Sequence, residues 1–301
     1  IRDSSEYGNI SAVIERWKNG TKIDIEPGKS YYTLRDTTIT NKDTILSNGD
    51  SAVFYAPNQT VFYFVEPNLD EDSEYKLIIT KTGKVVTATT PIINKGVWCG
   101  GFDCYPSDFS GQEISFYNSG NNSYESQVVK WKSVKEGMRY QLTIRFKYDE
   151  KTLSTGVITS KSLDWIFSAD SRVDYLKGGM GISKDINGEE FYKFLASRIP
   201  KNDIPIPPPD PDNVERSNVT LDFVIDVAGE EFDTYMDVNS PSTGIVQEKP
   251  EYTNVINDKG EDEVGIFSCR YNETRGGKKL NFDSANWLQE PNSPTANLGF
   301  K

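Results

Sequence analysis

The side chains best able to do chemistry here are carboxylates: 45 Asp and Glu stand among 301 residues, and histidine is absent. Losing histidine removes the commonest general base, the usual nitrogen ligand of zinc and iron, and every His-dependent triad. No Gly-x-Ser-x-Gly elbow is present, and the glycines Gly178, Gly179 and Gly181 lack the Lys-Ser/Thr that completes a phosphate-binding loop. Paired acids can cleave glycosides without histidine, at carboxyl separations of about 5–10 Å. Asp164 beside Trp165 has the makings of such a sugar site, but Trp165, Ile166 and Phe167 in a row read more simply as a core strand. Two acidic stretches could suit calcium: Asn68, Asp70, Asp72 and Glu74, then Asn257, Asp258, Glu261, Asp262 and Glu263. Neither has the twelve-residue spacing of an EF-hand loop, and the first reads as a charged turn ahead of a strand. We therefore expect no catalytic residue, no bound metal and no cofactor.

Three cysteines remain. Cys99 and Cys104 flank Gly100 and Gly101, so a small disulfide loop between them is plausible, with Cys269 outside the pair in a buried strand. A disulfide would imply an oxidising compartment. Trp98 and Tyr105 frame this loop and are the candidate ligand-binding residues, as exposed aromatics. The alternative is that both cap a hydrophobic core. Net charge of −12 argues against nucleic acid and against anionic lipid surfaces. No run reaches the roughly 18 apolar residues that span a bilayer. Six Asn-x-Ser/Thr triplets, at Asn9, Asn19, Asn58, Asn121, Asn218 and Asn272, indicate surface-like composition.

The elements that must carry these groups are mostly strands. Tyr (16), Phe (15) and abundant Thr, Asn, Asp and Gly favour strands and turns over helices. The stretch from Ala12 to Trp17 reads as extended, turning at Asn19-Gly20, and Thr60 to Val65 reads as a further strand. Tyr75, Leu77 and Ile79 alternate with Lys76, Ile78 and Thr80, Thr82-Gly83 turns, and Val86 and Ala88 return: a hairpin with one buried face. Tyr140, Leu142, Ile144, Phe146 and Tyr148 alternate with polar residues, and Val219, Leu221, Phe223, Ile225 and Val227 repeat the pattern with Val224 as its one apolar interruption. These two strands are predicted to share a sheet. Short helices are predicted near 188–199, opened by Asn187 as N-cap and stopped before Pro200, and near 230–237. Both begin Gly-Glu-Glu-Phe, which acidic preference at helix N-termini explains without a duplication. The prolines from Ile204 to Asp212 read as a stiff surface crossover, and the chain from Asn272 onward reads as loop.

The resulting fold class is mainly β: an immunoglobulin-like sandwich over 1–95, followed by a larger antiparallel β-rich domain with two short helices over 96–301. Three blocks carry a resemblance to a family. Ile10 to Ile25 with Glu74 to Pro91, the strand Met138 to Tyr148, and the ending Phe232 to Tyr235, Tyr252 to Asn257 and Gly265 to Ser268 resemble a Bacteroidota surface lipoprotein family of unknown function. This chain places Asp258 to Val264 where that family has a short Gly-x before Gly-Ile-Phe. The resemblance implies an exported protein at the outer membrane or cell surface, held by a lipid anchor absent from this chain, and often encoded beside TonB-dependent transporters. It brings no catalytic residues with it. The function expected is a non-enzymatic accessory or ligand-binding component of an uptake or surface assembly, with such a transporter or a surface glycan or peptide as partner. The alternatives are a carbohydrate-binding protein and a carboxylate glycosidase.

Overall fold

A computed structural model of the chain describes residues 10–40, 58–66, 68–98, 113–167, 171–172, 177–202, 213–239 and 252–301. The fold is mainly β, built from antiparallel ladders, and it divides into two compact units. The first unit joins Ile1–Ile93 to Ala228–Cys269, and the second joins Asn94–Val227 to Arg270–Lys301. No described helix is long and apolar enough to cross a membrane.

The first unit begins with β1 (Ile10–Lys18), β2 (Thr21–Ile23), β3 (Tyr32–Thr33), β4 (Arg35–Thr40), β5 (Asn58–Tyr63), β6 (Glu74–Lys81) and β7 (Lys84–Pro91). The expected hairpin is β6–β7. Thr82 and Gly83, both at positive φ, make its two-residue turn, the backbone that matches strand twist. Strand β1 pairs along β6 from Ile10↔Lys81 to Trp17↔Glu74. Thr60 to Tyr63 lie in a separate ladder, β4 with β5.

The second unit holds β8 (Tyr117–Asn118), β9 (Ser123–Tyr124), β10 (Ser126–Lys132), β11 (Arg139–Thr152), β12 (Ile158–Ile166), β13 (Ser171–Arg172), β14 (Gly181–Asn187), helix α1 (Gly188–Arg198) and β15 (Val214–Ala228). Helix α2 (Glu230–Asn239), β16 (Val255–Asn257) and β17 (Asp262–Glu263) then return to the first unit. Finally β18 (Arg270–Lys278) and helix α3 (Phe282–Trp287) complete the second. The expected division at 1–95 and 96–301 is thus revised, because β16 pairs with β7 through Ile256↔Thr87 and Asn257↔Val86. Such a long-range ladder leaves no trace in local periodicity. The expected C-terminal loop is likewise corrected: β18 carries Tyr271, Asn272, Glu273, Thr274 and Arg275, too polar to read as a strand.

The two alternating strands do share a sheet, ordered β12–β11–β15–β18. Tyr140, Leu142, Ile144 and Phe146 on β11 and Leu221, Phe223 and Ile225 on β15 are all at most 2% exposed. Helix α1 lies over this face. Phe191 stacks on Phe116 at 4.4 Å and meets Phe146 edge-on at 6.0 Å, while Tyr192 and Leu195 are fully buried. As predicted, Asn187 caps α1 by accepting from the Glu190 N–H at 3.1 Å. The paired Gly-Glu-Glu starts have a further cause. Gly188 N–H donates to the Glu125 carbonyl at 2.9 Å, and a Cβ there would run into the Phe116 carbonyl. Gly229 N–H makes the equivalent bond to the Cys269 carbonyl at 3.1 Å.

The opposite face of the sheet carries the buried Val224 but is mostly polar and laced across strands. Arg145 holds Asp164 by two bonds of 2.7 and 2.9 Å, and Lys147 holds Asp222 at 3.0 Å. Phe191→Ala should cost about 3–5 kcal/mol of stability, since it empties a packed aromatic site. Phe282→Ala, at a helical phenylalanine 77% exposed, should stay within about 0.5 kcal/mol. Urea midpoints of the two variants measure the difference, and equal midpoints would contradict this core.

Candidate functional site

The site in the first unit grows from the apolar face of the β6–β7 hairpin. Opposed pairs Leu77↔Ala88 and Ile79↔Val86 put four apolar side chains on one face, with Ile14 and Ala12 of β1 beside them. Ile14, Ala12 and Ala88 are buried, whereas Leu77, Ile79 and Val86 are only half-buried. The cover on the β7 side comes from 255–267. Val255 extends the face past Ala88, the chain turns at Asp258–Gly260, and Gly265–Phe267 run back. Asn254 fixes this return by accepting from the Phe267 N–H at 2.8 Å and donating to its carbonyl at 2.7 Å. Gly265 permits a close approach, because a Cβ would stand 3.1 Å from the Val255 methyl.

Among the described residues the cover is incomplete. A groove of about 320 Å³ remains, walled by Leu77, Ile79, Val86, Ala88, Val255 and Phe267. Glu263 and Val264 form its rim, and Val264 is 92% exposed.

Two residues beyond Ala88 on the same face, the surface turns polar. Thr90 Oγ1 donates to Glu231 Oε2 at 3.2 Å and accepts from the Cys269 N–H at 3.2 Å. Ser268 Oγ donates to the same carboxylate oxygen at 3.2 Å. Glu231 lies in the first turn of α2, where an acid suits the helix N-terminus. Burial pushes its carboxyl above the ordinary range, against the pull of its own N–H and the two hydroxyls. Burial also pushes the Cys269 thiol up, with Glu231 adding to the effect. A thiol held protonated is a poor nucleophile, so the cluster acts as a staple joining α2, β7 and residue 268.

The residues singled out by sequence fall elsewhere. Trp98 is 3% exposed, and its indole donates to the Glu273 carbonyl at 3.2 Å. It is a core residue of the second unit, which corrects its expected role as an exposed platform. Val97 N–H bonds Glu273 Oε2 at 3.0 Å and so fixes the same segment. Tyr105, the Cys99–Cys104 pair and the prolines from Ile204 to Asp212 lie outside the described residues. Cys269, expected in a buried strand, is half-buried one residue ahead of β18, its Sγ accepting from the Ile93 N–H at 3.5 Å. Asp164 and Trp165 are brought next to each other only in sequence: successive strand residues face opposite ways, and Asp164 is taken up by Arg145.

Both acidic stretches are turns closed on themselves. Asp70 accepts from Ser73 Oγ at 2.9 Å and Lys18 Nζ at 3.3 Å, and Asn257 Nδ2 donates to Glu261 at 3.0 Å and Glu263 at 3.2 Å. Among the described residues no group of three or more Cys, Asp or Glu could hold a metal ion. The glycines at 178–181 form a turn on Ser133, whose carbonyl accepts from Gly179 N–H at 2.8 Å. Sequence reasoning found the Leu77–Ala88 face but missed Glu231, because its partners Thr90 and Ser268 stand 141 and 37 residues away.

No family model, curated protein or solved structure matches this chain.

A carboxyl raised by burial favours the folded state while protonated, and that contribution is lost as pH rises through its folded pKa. Glu231→Gln keeps an acceptor for both hydroxyls without the buried charge. It should raise the thermal midpoint at pH 7, with the gain closing toward about pH 4, the ordinary range of a glutamate. Circular dichroism melts across that range check this. A gap that widens on acidification would contradict the assignment.

Proposed function

We propose that this chain is an exported, lipid-anchored surface protein of the Bacteroidota type, with an immunoglobulin-like first unit, that binds a ligand without altering it chemically. It would serve as an accessory component of an outer-membrane uptake or surface assembly, with a TonB-dependent transporter as the expected partner. The compartment is inferred from the resemblance of residues 10–25, 74–91, 138–148, 232–235, 252–257 and 265–268 to that lipoprotein family. The binding role is carried by one observation, the groove of about 320 Å³ over Leu77, Ile79, Val86 and Ala88. Its volume falls in the range of roughly 300–1,000 Å³ typical of small-ligand sites, and its lining is apolar with one carboxylate at the rim.

Non-enzymatic binding accords with the state of the acids. Asp164 is held by Arg145, Asp70 by Lys18, and Glu261 and Glu263 accept from the Asn257 side-chain amide. A sugar platform draws less support, since all five tryptophans are buried or half-buried.

Nile red, a neutral apolar dye, should bind the intact chain with enhanced, blue-shifted fluorescence. Val86→Phe, which fills the groove, should abolish that signal while leaving the thermal midpoint near wild type. Dye uptake unaffected by Val86→Phe would remove the groove as the binding site. In cells carrying the complete gene, protease added outside should cleave the protein, and detergent should be needed to free it from membranes. Recovery in the cytosolic fraction would overturn the compartment.

A further inference from the structure

The rim of the groove is a sheet edge. Among the described residues, strand β17 is the last strand of its sheet and pairs inward to β16 through Val255↔Glu263 and Ile256↔Asp262. Asn257 N–H donates to the Glu261 carbonyl at 2.9 Å, and Thr253 Oγ1 donates to the Gly265 carbonyl at 2.7 Å. In an antiparallel ladder the inward-bonded positions alternate with outward ones. Residues 261, 263 and 265 turn inward, so the backbone N–H and C=O groups of Asp262 and Val264 point away from the sheet. Both residues are exposed, and Val264 is the most exposed large apolar side chain among those described. An open edge carrying an apolar residue is a template for another strand.

The turn that leads into this edge is acidic. Asp258, Glu261, Asp262 and Glu263 face one cation, Lys259, within six residues. A fatty-acid carboxylate entering the groove would meet Glu263. A second copy adding its own β17 edge would set these acids against themselves. A strand bearing Lys or Arg alternating with apolar residues would satisfy all three features at once.

We infer that this edge docks an extended, basic and apolar segment of a partner protein by strand addition. Its backbone pairs with Asp262 and Val264, alternate apolar side chains enter the groove, and its cations face the acidic turn. This inference rests on the reading of the groove as a binding site and names the occupant of that site.

The test uses the full chain and two labelled peptides, Lys-Val-Lys-Phe-Lys-Val-Lys and the same sequence with Glu in place of Lys, read by fluorescence anisotropy. The basic peptide should bind at least about tenfold more tightly than the acidic one and should displace Nile red. Val264→Pro, which removes an outward N–H, should weaken the basic peptide about tenfold while Nile red still binds. The double variant Asp262→Lys/Glu263→Lys should reverse the peptide preference. Glu113→Lys/Glu290→Lys, an equal change of charge at exposed sites of the second unit, should leave the preference intact. Equal affinity for both peptides, or equal loss in the two charge-swapped variants, would overturn the inference. Nile red binding without peptide binding would overturn it and leave the groove reading standing. Loss of both would end both.

Discussion

A strand that alternates oily and polar side chains makes one face that must be shielded from water, and each unit of this chain is organised around that requirement. In the second unit the shield is complete. Phe191, Tyr192 and Leu195 of α1 close over β11 and β15, and the facing residues are almost wholly withdrawn from solvent. Each such buried side chain contributes about 1.5–3 kcal/mol relative to exposure, so this face supplies a large part of that unit's stability. In the first unit the shield is a thin return of chain, 255–267, over a hairpin face that needs a wider lid. Ile14 and Ala88 are covered, and Leu77, Ile79 and Val86 stay partly open. The same rule that builds the core of one unit leaves a partly open apolar face on the other.

One buried or half-buried charged group in each unit shows how such a group is accommodated. Arg216 is 2% exposed, yet it meets Glu150 at 2.8 Å and lies 5.9 Å from the centre of the Tyr148 ring. Breaking such a pair strands a charge, so it favours one arrangement over close alternatives. Glu231 in the first unit is handled differently, through two hydroxyls and its own amide, and it carries a cost of burial that an ion pair would have offset.

How much of this was legible beforehand follows from where the information lies. Period-two alternation in 140–148 and 219–227 is local, and it disclosed both strands, their buried faces and their shared sheet. Asn187 and Pro200 bounded α1 for equally local reasons, a capping side chain and a residue unable to continue a helix. Pairing across distance was invisible. Nothing near Val255 announces that it will extend the face of Ala88, so the return of 228–269 to the first unit could not be read, nor could the groove that it leaves. Trp98 shows the converse. Its neighbours suggested an exposed aromatic at a loop, but the indole found an acceptor in Glu273, a residue whose strand is too polar to recognise.

The incompletely covered face of the first unit can be tested with the smallest apolar probe. Xenon dissolved in a methyl-labelled sample should shift the methyl resonances of Leu77, Ile79, Val86 and Val255, because an apolar void takes up the gas. Those of Leu142, Ile144, Leu221 and Ile225 should stay in place, since these side chains are at most 2% exposed. Shifts confined to the second group, or none in the first, would contradict the account.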